Sequence, residues 1–377
     1  MGTKPNRSMR IERHRLLVIA ETLRPFVPKN PLFPILDNVL MVPKDDFIVF
    51  AATDNQNSIE YLLPITEIEV PNKSSVCFDI LLVADYIKNL KDEFIELFFA
   101  DNGLSISHSK GSIDIVIQSA SEFPYKEVIE PEKLSDANGS EFLTGIKAAS
   151  NIIKIDREYP MPSDSIHIKS NEPGYVDIFS SGGAAYRFFS VVKASVTDFE
   201  GSISIHQAQV SKLMNFINRK PSIQIGIHNG NIIAKDSNSI VSIVTGTYTA
   251  PPYEKIKDQI VKATVIFNKD ELSSCIDRLS ASIRGIEKNY LVIKSNENCI
   301  NFALNNYTYG ISASENLDPV EITGELDIVL DLTQVSKSIK FIESDQIQLV
   351  VFPAAVKFSS AGNDNAFFVT GLINLMK

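Results

Sequence analysis

Two nine-residue stretches of the chain carry the same chemistry. QVSKLMNFI, Gln209–Ile217, returns as QVSKSIKFI, Gln334–Ile342, after a step of 125 residues. On a helix of roughly 3.6 residues per turn, Val210, Leu213, Met214 and Ile217 share one face, and Lys212 and Arg219 fall opposite. In the later copy Val335, Ile339 and Ile342 form the apolar stripe, while Lys337 and Lys340 point away. Neither stretch holds an acid, although the 377-residue chain has a net charge of -10. Ammonium and guanidinium groups in a row on one helix face make a site for anions. An acidic chain still permits such a site, because charges more than about 8 Å away are largely screened at physiological salt. A looser copy, LVADYIKNL at Leu82–Leu90, carries Lys88 but puts Asp85 where the second copy has Lys212.

Other chemistry has no support. There is no GxxxxGKS/T or GxGxxG phosphate loop. No GxSxG nucleophile turn exists, since Ser180-Ser181-Gly182-Gly183 lacks the leading glycine. His14, His108, His167, His206 and His228 form no HExxH or i,i+4 pair, and no two carboxylates stand out by spacing. Cys77, Cys275 and Cys299 are far apart, which predicts no disulfide and no zinc site and points to a reducing cytoplasm. No apolar run reaches membrane-spanning length. The expectation is a non-catalytic protein without cofactor or metal.

The elements that position the cationic helices follow a repeated order. MGTKPNRS, residues 1–8, reads as an appended tag before Met9. His14–Val27 is an amphipathic helix ended by Pro25 and Pro28. Alternating strands follow near Asn38, Phe47 and Ser58, then the helix at Leu81–Leu90, then strands from Phe94, Leu104 and Ser112, with a turn at Asp101-Asn102-Gly103. The second pass has helices at Glu141–Ile153, carrying Lys147 and Lys154, and at Gln209–Ile217. The third has helices at Glu271–Ile283 and Gln334–Ile342. The predicted class is α+β: three tandem similar domains, 9–127, 128–256 and 257–377, each a duplicated half with two helices packed on antiparallel sheets.

The period and several short motifs resemble the bacterial DNA polymerase III beta sliding clamp family. Asn30-Pro31-Leu32-Phe33-Pro34-Ile35-Leu36-Asp37-Asn38-Val39-Leu40, Ala51-Ala52-Thr53-Asp54 and Glu122-Phe123-Pro124 match its first domain in order. The resemblance implies a ring-forming DNA-clamp fold, a head-to-tail homodimer and a processivity factor for the replicative polymerase. Duplex DNA would pass through the hole without sequence specificity, and a separate ATP-driven loader would be needed. It implies that Lys88, Lys147, Lys154, Lys212, Arg219, Lys337 and Lys340 face the hole, with Arg24, Lys29, Arg278 and Arg284 as weaker candidates.

It also implies a cleft for partner peptides of the polymerase and the clamp loader. Its positions fall on Gly183, Tyr186, Arg187 and Phe188, on Pro251, Lys255 and Ile256, and on Phe368, Val369, Thr370 and Leu372. Here the family's Thr-Asp pair is lost at Gly183-Ala184-Ala185 and the C-terminal ending departs from the family's, so the cleft's place transfers better than its chemistry. Ile113, Ile115 and Ile283 fall at the implied joint between subunits. The alternative is a divergent scaffold of the same fold that binds partner peptides without encircling DNA.

Overall fold

The computed structural model describes residues 8–65, 75–100, 103–153, 164–182, 188–218, 220–248, 252–282, 289–296, 299–306 and 310–373. Six successive stretches of chain repeat one order: strand, helix, three strands. The first comprises Ser8–Glu12 (β1), Arg13–Leu23 (α1), Val39–Pro43 (β2), Phe47–Thr53 (β3) and Ser58–Pro64 (β4). The second comprises Val76–Phe78 (β5), Ile80–Ile87 (α2), Phe94–Phe99 (β6), Gly103–His108 (β7) and Gly111–Val116 (β8), trailed by Gln118–Ser119 (β9). The third comprises Ser135–Asn138 (β10), Gly139–Ile152 (α3), Ser165–Glu172 (β11), Tyr175–Gly182 (β12) and Phe188–Ser195 (β13). The fourth comprises Ser202–His206 (β14), Gln207–Ile217 (α4), Ser222–His228 (β15), Asn231–Lys235 (β16) and Ser239–Val244 (β17). The fifth comprises Ala263–Asn268 (β18), Lys269–Ala281 (α5), Tyr290–Ser295 (β19), Ile300–Asn306 (β20) and Ile311–Leu317 (β21), trailed by Glu321–Thr323 (β22). The sixth comprises Asp327–Asp331 (β23), Leu332–Lys340 (α6), Gln346–Val351 (β24), Ala355–Ser360 (β25) and Asn363–Gly371 (β26).

The strand that leads each stretch is absent from the sequence reading. These strands are only three to six residues long and run straight into a helix. Their signal is nonetheless present as a two-residue alternation, with Met9 and Ile11, or Val265 and Phe267, buried between exposed or half-buried neighbours. The helix start is then set by a polar side chain at the strand's end. Asp79 accepts from the Leu81 and Leu82 amides, Asn268 from those of Asp270 and Glu271, and Asp331 from that of Gln334. Ser8 pairs with Phe98 in β1, so residue 8 belongs to the folded sheet and not to the expected tag.

The chain forms two compact units. One contains the chain up to Gly139 together with Ser211–Thr245; the other contains Ser140–Val210 together with Gly246–Lys377. Among the described residues each unit has one four-stranded and one nine-stranded antiparallel sheet. In the first unit these run β1-β6-β7-β8 and β10-β15-β16-β17-β4-β3-β2-β5-β9. In the second they run β21-β20-β19-β23 and β14-β11-β12-β13-β26-β25-β24-β18-β22. Leading strands are exchanged between paired stretches: β1 joins β6 and β5 joins β2, while β18 joins β24 and β23 joins β19. This exchange ties two successive stretches into one body, because neither can complete its sheet alone.

Helices cover the sheets on one side. α1 packs on α2 and on β3 and β4, and α5 packs on α6, β18 and β21. Leu16, Ile19, Ala20 and Leu23 supply the buried face of α1, and Leu272, Cys275, Ile276 and Leu279 that of α5. Each fully buried aliphatic side chain of this kind contributes about 1.5–3 kcal/mol. No helix among the described residues is long and apolar enough to cross a membrane.

Candidate nucleic-acid interface and apolar cleft

The solvent face of α4 is neutral. Its exposed residues are Ala208, Ser211 and Asn215, followed just past its end by Asn218. Lys212 lies on the flank instead, only 16% exposed, with its Nζ 2.9 Å from Asp54 Oδ2. Asp54 sits in the β3–β4 turn, where Asn55 takes a positive φ of 74°. Asp54 Oδ1 accepts from the amides of Gln56 at 2.9 Å and Asn57 at 2.7 Å, and Oδ2 accepts from Asn57 Nδ2 at 2.9 Å. Burial by itself would raise the Asp54 pKa, but the Lys212 ammonium and these donors outweigh it and hold the carboxyl below its usual range. Fully buried Asn57 turns its Oδ1 to the Val244 amide at 3.0 Å, tying the turn to the end of β17. Lys212, expected to face the hole, is engaged by a carboxylate of its own unit.

Lys337, its counterpart in the other QVSK stretch, is also engaged. It is half-buried and donates to the Asn151 carbonyl at 2.8 Å, capping the last turn of α3. A cation there satisfies an orphan carbonyl and complements the negative end of the helix dipole. Arg278 is consumed as well, in a bidentate pair with Glu315 at 2.8 and 2.7 Å. Arg24 pairs with Glu21 at 2.9 Å and Lys88 with Asp85 at 2.8 Å, all four side chains well exposed. Exposed pairs of this kind are worth under about 1 kcal/mol, so an incoming phosphate can displace the acid. Asp85, out of pattern in the sequence, is thus the neighbour that balances Lys88. Lys29, Lys147 and Lys340 are exposed and have no ion-pair partner among the described residues. Lys154, Arg219 and Arg284 lie outside the described residues.

Two cations that the sequence reading passed over have structural roles. Lys220 stands 2.5 Å from Asp236 and 3.3 Å from the Phe216 ring centroid, and burial pushes its ammonium pKa down. Arg13 donates through Nε to the Asp92 carbonyl at 3.0 Å and through Nη1 to that of Lys88 at 3.4 Å, closing the end of α2. Their ionic and carbonyl partners, Asp236 for Lys220 and the Lys88 and Asp92 carbonyls for Arg13, lie on other elements, where no helical spacing reveals them.

The predicted cleft residues do not converge on one pocket. Gly183, Tyr186, Arg187 and Pro251 lie outside the described residues. Strand alternation splits the rest. Val369 packs with Ile256, Tyr253, Phe189 and Phe367 on one face of the nine-stranded sheet. Phe188 and Phe368 pack on the other, against α5 and α6 residues such as Cys275 and Val335, with Leu372 at the margin. Thr370 is fully buried and donates to Gln334 Oε1 at 2.5 Å. Lys255 is exposed. Tyr253 is fixed by Asp177, whose Oδ2 accepts from the phenol at 2.5 Å; burial first, then this acid, pushes the phenol pKa well up. Of the residues expected to line the cleft, Phe188, Phe368, Thr370 and Leu372 belong to the helix side, and Ile256 and Val369 to the opposite side.

Among the described residues the four-stranded sheets end on β1 and β8 in one unit and on β21 and β23 in the other. In β8, Ile115 is 9% exposed and faces its own core, and Ile113 is half-buried, while Val116 is 77% exposed. Ile115, expected at a joint between subunits, is thus covered within its own chain, and Val116 is the most exposed apolar side chain of this edge. Ile283 lies outside the described residues. Among the described residues no three His, Cys, Asp or Glu side chains cluster to hold a metal ion.

Comparison with known proteins agrees with this architecture. Residues 8–127 match the family model of the DNA polymerase III beta subunit, N-terminal domain. No curated protein matches the chain. Among solved structures, the DNA polymerase sliding clamp from Bacillus subtilis superposes with a TM-score of 0.86 at 18% identity, covering 97% of this chain and 99% of that one. The DNA polymerase III subunit beta from Pseudomonas aeruginosa gives 0.86 at 15% identity, covering 98% and 100%. The beta subunit from Thermotoga maritima gives 0.83 at 16% identity, covering 98% and 99%. At such identities the superpositions establish the fold.

Proposed function

Since residues 8–127 match the DNA polymerase III beta subunit family and the whole chain has the sliding-clamp fold, we propose that the protein is a non-catalytic sliding clamp. Two copies would close head to tail around duplex DNA in the cytoplasm and tether the replicative polymerase. The three tandem domains 9–127, 128–256 and 257–377 are part of this reading.

One observation carries it. Each nine-stranded sheet is joined by the same kind of strand pair: the last strand of an odd-numbered stretch with the last strand of the even-numbered stretch three places on. β4 of the first stretch pairs with β17 of the fourth, and β13 of the third with β26 of the sixth. Carried one step further, β21 of the fifth stretch calls for a last strand of this kind on its outer side, and among the described residues none lies there. β8 of the second stretch is left without a partner by the same rule. A second copy supplies both, β21 of one against β8 of the other, and the reciprocal contact closes the assembly.

The helices support loose contact with DNA. Lys29, Lys147 and Lys340, with Arg24 and Lys88 once their weak acid partners are displaced, are the cations we assign to phosphates. Binding would be independent of sequence and salt-dependent in proportion to their number. The same scarcity of free cations favours a second reading, a scaffold of this fold that holds partner peptides without encircling DNA. Polymerase and loader peptides would meet the surface around Lys255 and the end of β26. Light scattering tests the reading: the parent should have the mass of two chains, and Val116→Glu that of one, both with unchanged thermal unfolding. A monomeric parent at micromolar concentration would exclude the ring.

A further inference from the structure

β22 forms the outer edge of the second unit's nine-stranded sheet, and its apolar side chains are uncovered. Ile322 is 43% exposed and Val320 51%; Val261 and Ile260, which lead into β18, are 53% and 79% exposed. β22 runs antiparallel to β18, with Ile322 opposite Val265 and Thr323 opposite Thr264. Directly opposed residues share a face, so Ile322 extends past the edge the buried row of Ala263, Val265 and Phe267. Val320, two residues earlier, lies on that face too, and its amide donates to the Ile266 carbonyl at 2.8 Å. At the other end Gly324, with φ 83°, lets the backbone close on β18; a Cβ there would stand 2.5 Å from the Lys262 carbonyl.

No strand flanks the outer side of β22 among the described residues. A bare strand edge beside an apolar row is a template for another strand. Charge selects which one. Asp318, Glu321 and Glu325 are exposed along the segment that carries Val320 and Ile322, which holds no Lys or Arg, and Lys262 is exposed next to Val261. A second copy paired edge to edge would bring the same carboxylates together, and nucleic-acid phosphates would be repelled likewise.

We infer that β22 is a docking edge for an extended segment of a partner protein in which basic and apolar residues alternate. The segment adds as a further strand, its apolar side chains covering Val320 and Ile322 and its cations facing Glu321 and Glu325. The edge belongs to a different sheet from β8 and β21, so the inference does not depend on ring closure.

The test uses the full chain and a fluorescein-labelled Lys-Val-Lys-Val-Arg-Val amide, with Glu-Val-Glu-Val-Glu-Val as its acidic counterpart. Fluorescence anisotropy should give a Kd below about 1 mM for the basic peptide and no binding of the acidic one. Glu321→Lys with Glu325→Lys should weaken the basic peptide by about tenfold or more. Hydrogen exchange of the unsubstituted chain should slow at residues 320–323 when the peptide binds. Failure of the basic peptide to bind, equal binding of both peptides, unchanged binding by the variant, or protection confined to other segments would each overturn the inference.

Discussion

Lys212 and Asp54 illustrate how the same side chain reads differently alone and in place. Helical spacing puts Lys212 away from the apolar stripe, and it is away from it, yet a turn more than 150 residues distant in sequence holds its charge. No periodicity can reveal that, because the partner lies on another element. The folded Asp54 carboxyl has a pKa below its ordinary value of 3.8, so the pair contributes stability that is fully present above 3.8 and is lost as pH falls through the folded value. Asp54→Asn should therefore lower unfolding free energy at neutral pH by about 2 kcal/mol and leave a smaller difference from the parent under strong acid. Urea titrations at pH 7 and near pH 3 check both halves of this expectation; an equal loss at the two pH values would contradict it. At Lys147 and Lys340, which are exposed without ion-pair partners among the described residues, the expectation is the reverse. Replacing either by alanine should leave stability within about 0.5 kcal/mol. Each replacement should also flatten the dependence of DNA affinity on salt, by about one unit of slope for every phosphate no longer neutralised.

Among the elements, the helices were legible and the strands that lead them were not. Apolar residues at helical spacing located the six α-helices of the described residues, although α2 ends at Ile87 and α6 at Lys340, two or three residues before the amphipathic pattern runs out. The pattern outlasts the hydrogen bonding because Leu90 and Ile342 still pack or turn back after the helix stops, their amides bonded to the carbonyls of Ile87 and Ile339. Leading strands are too short to show more than two alternations, and their role appears only when each is seen in the other stretch's sheet. The cleft positions divide for a related reason. Taking the residues along β26 together ignores that Phe368 and Val369 face opposite sides of the sheet. The cap of α6 offers a direct element-scale check: Asp331→Ala should cost about 1 kcal/mol, seen as a lower midpoint in thermal unfolding. At the edge of β8, a charge at Ile115 should damage the fold, whereas one at Val116 should change only association.

For the whole molecule, the repeat made the architecture readable where single residues were not. QVSK recurs because the same joint is built twice, with Lys212 reaching the β3–β4 turn in one unit and Lys337 the end of α3 in the other. The equivalent place in the first domain holds Asp85, paired with Lys88 of its own helix end. On the ring reading that place lies at the joint between copies, where a stretch of the same chain is not available. On the same reading the edge strands β8 and β21 meet at that joint from the sheet side. The central claim is that two copies enclose DNA and are held by topology, with few phosphate contacts. The protein should be loaded onto nicked circular duplex DNA with a clamp loader and ATP, and the circle then cut once. The account predicts that bound protein survives on the circle at moderate salt and is lost from the ends after linearisation. Protein that stays on the linear DNA, or that leaves circle and line alike as salt rises, would contradict it.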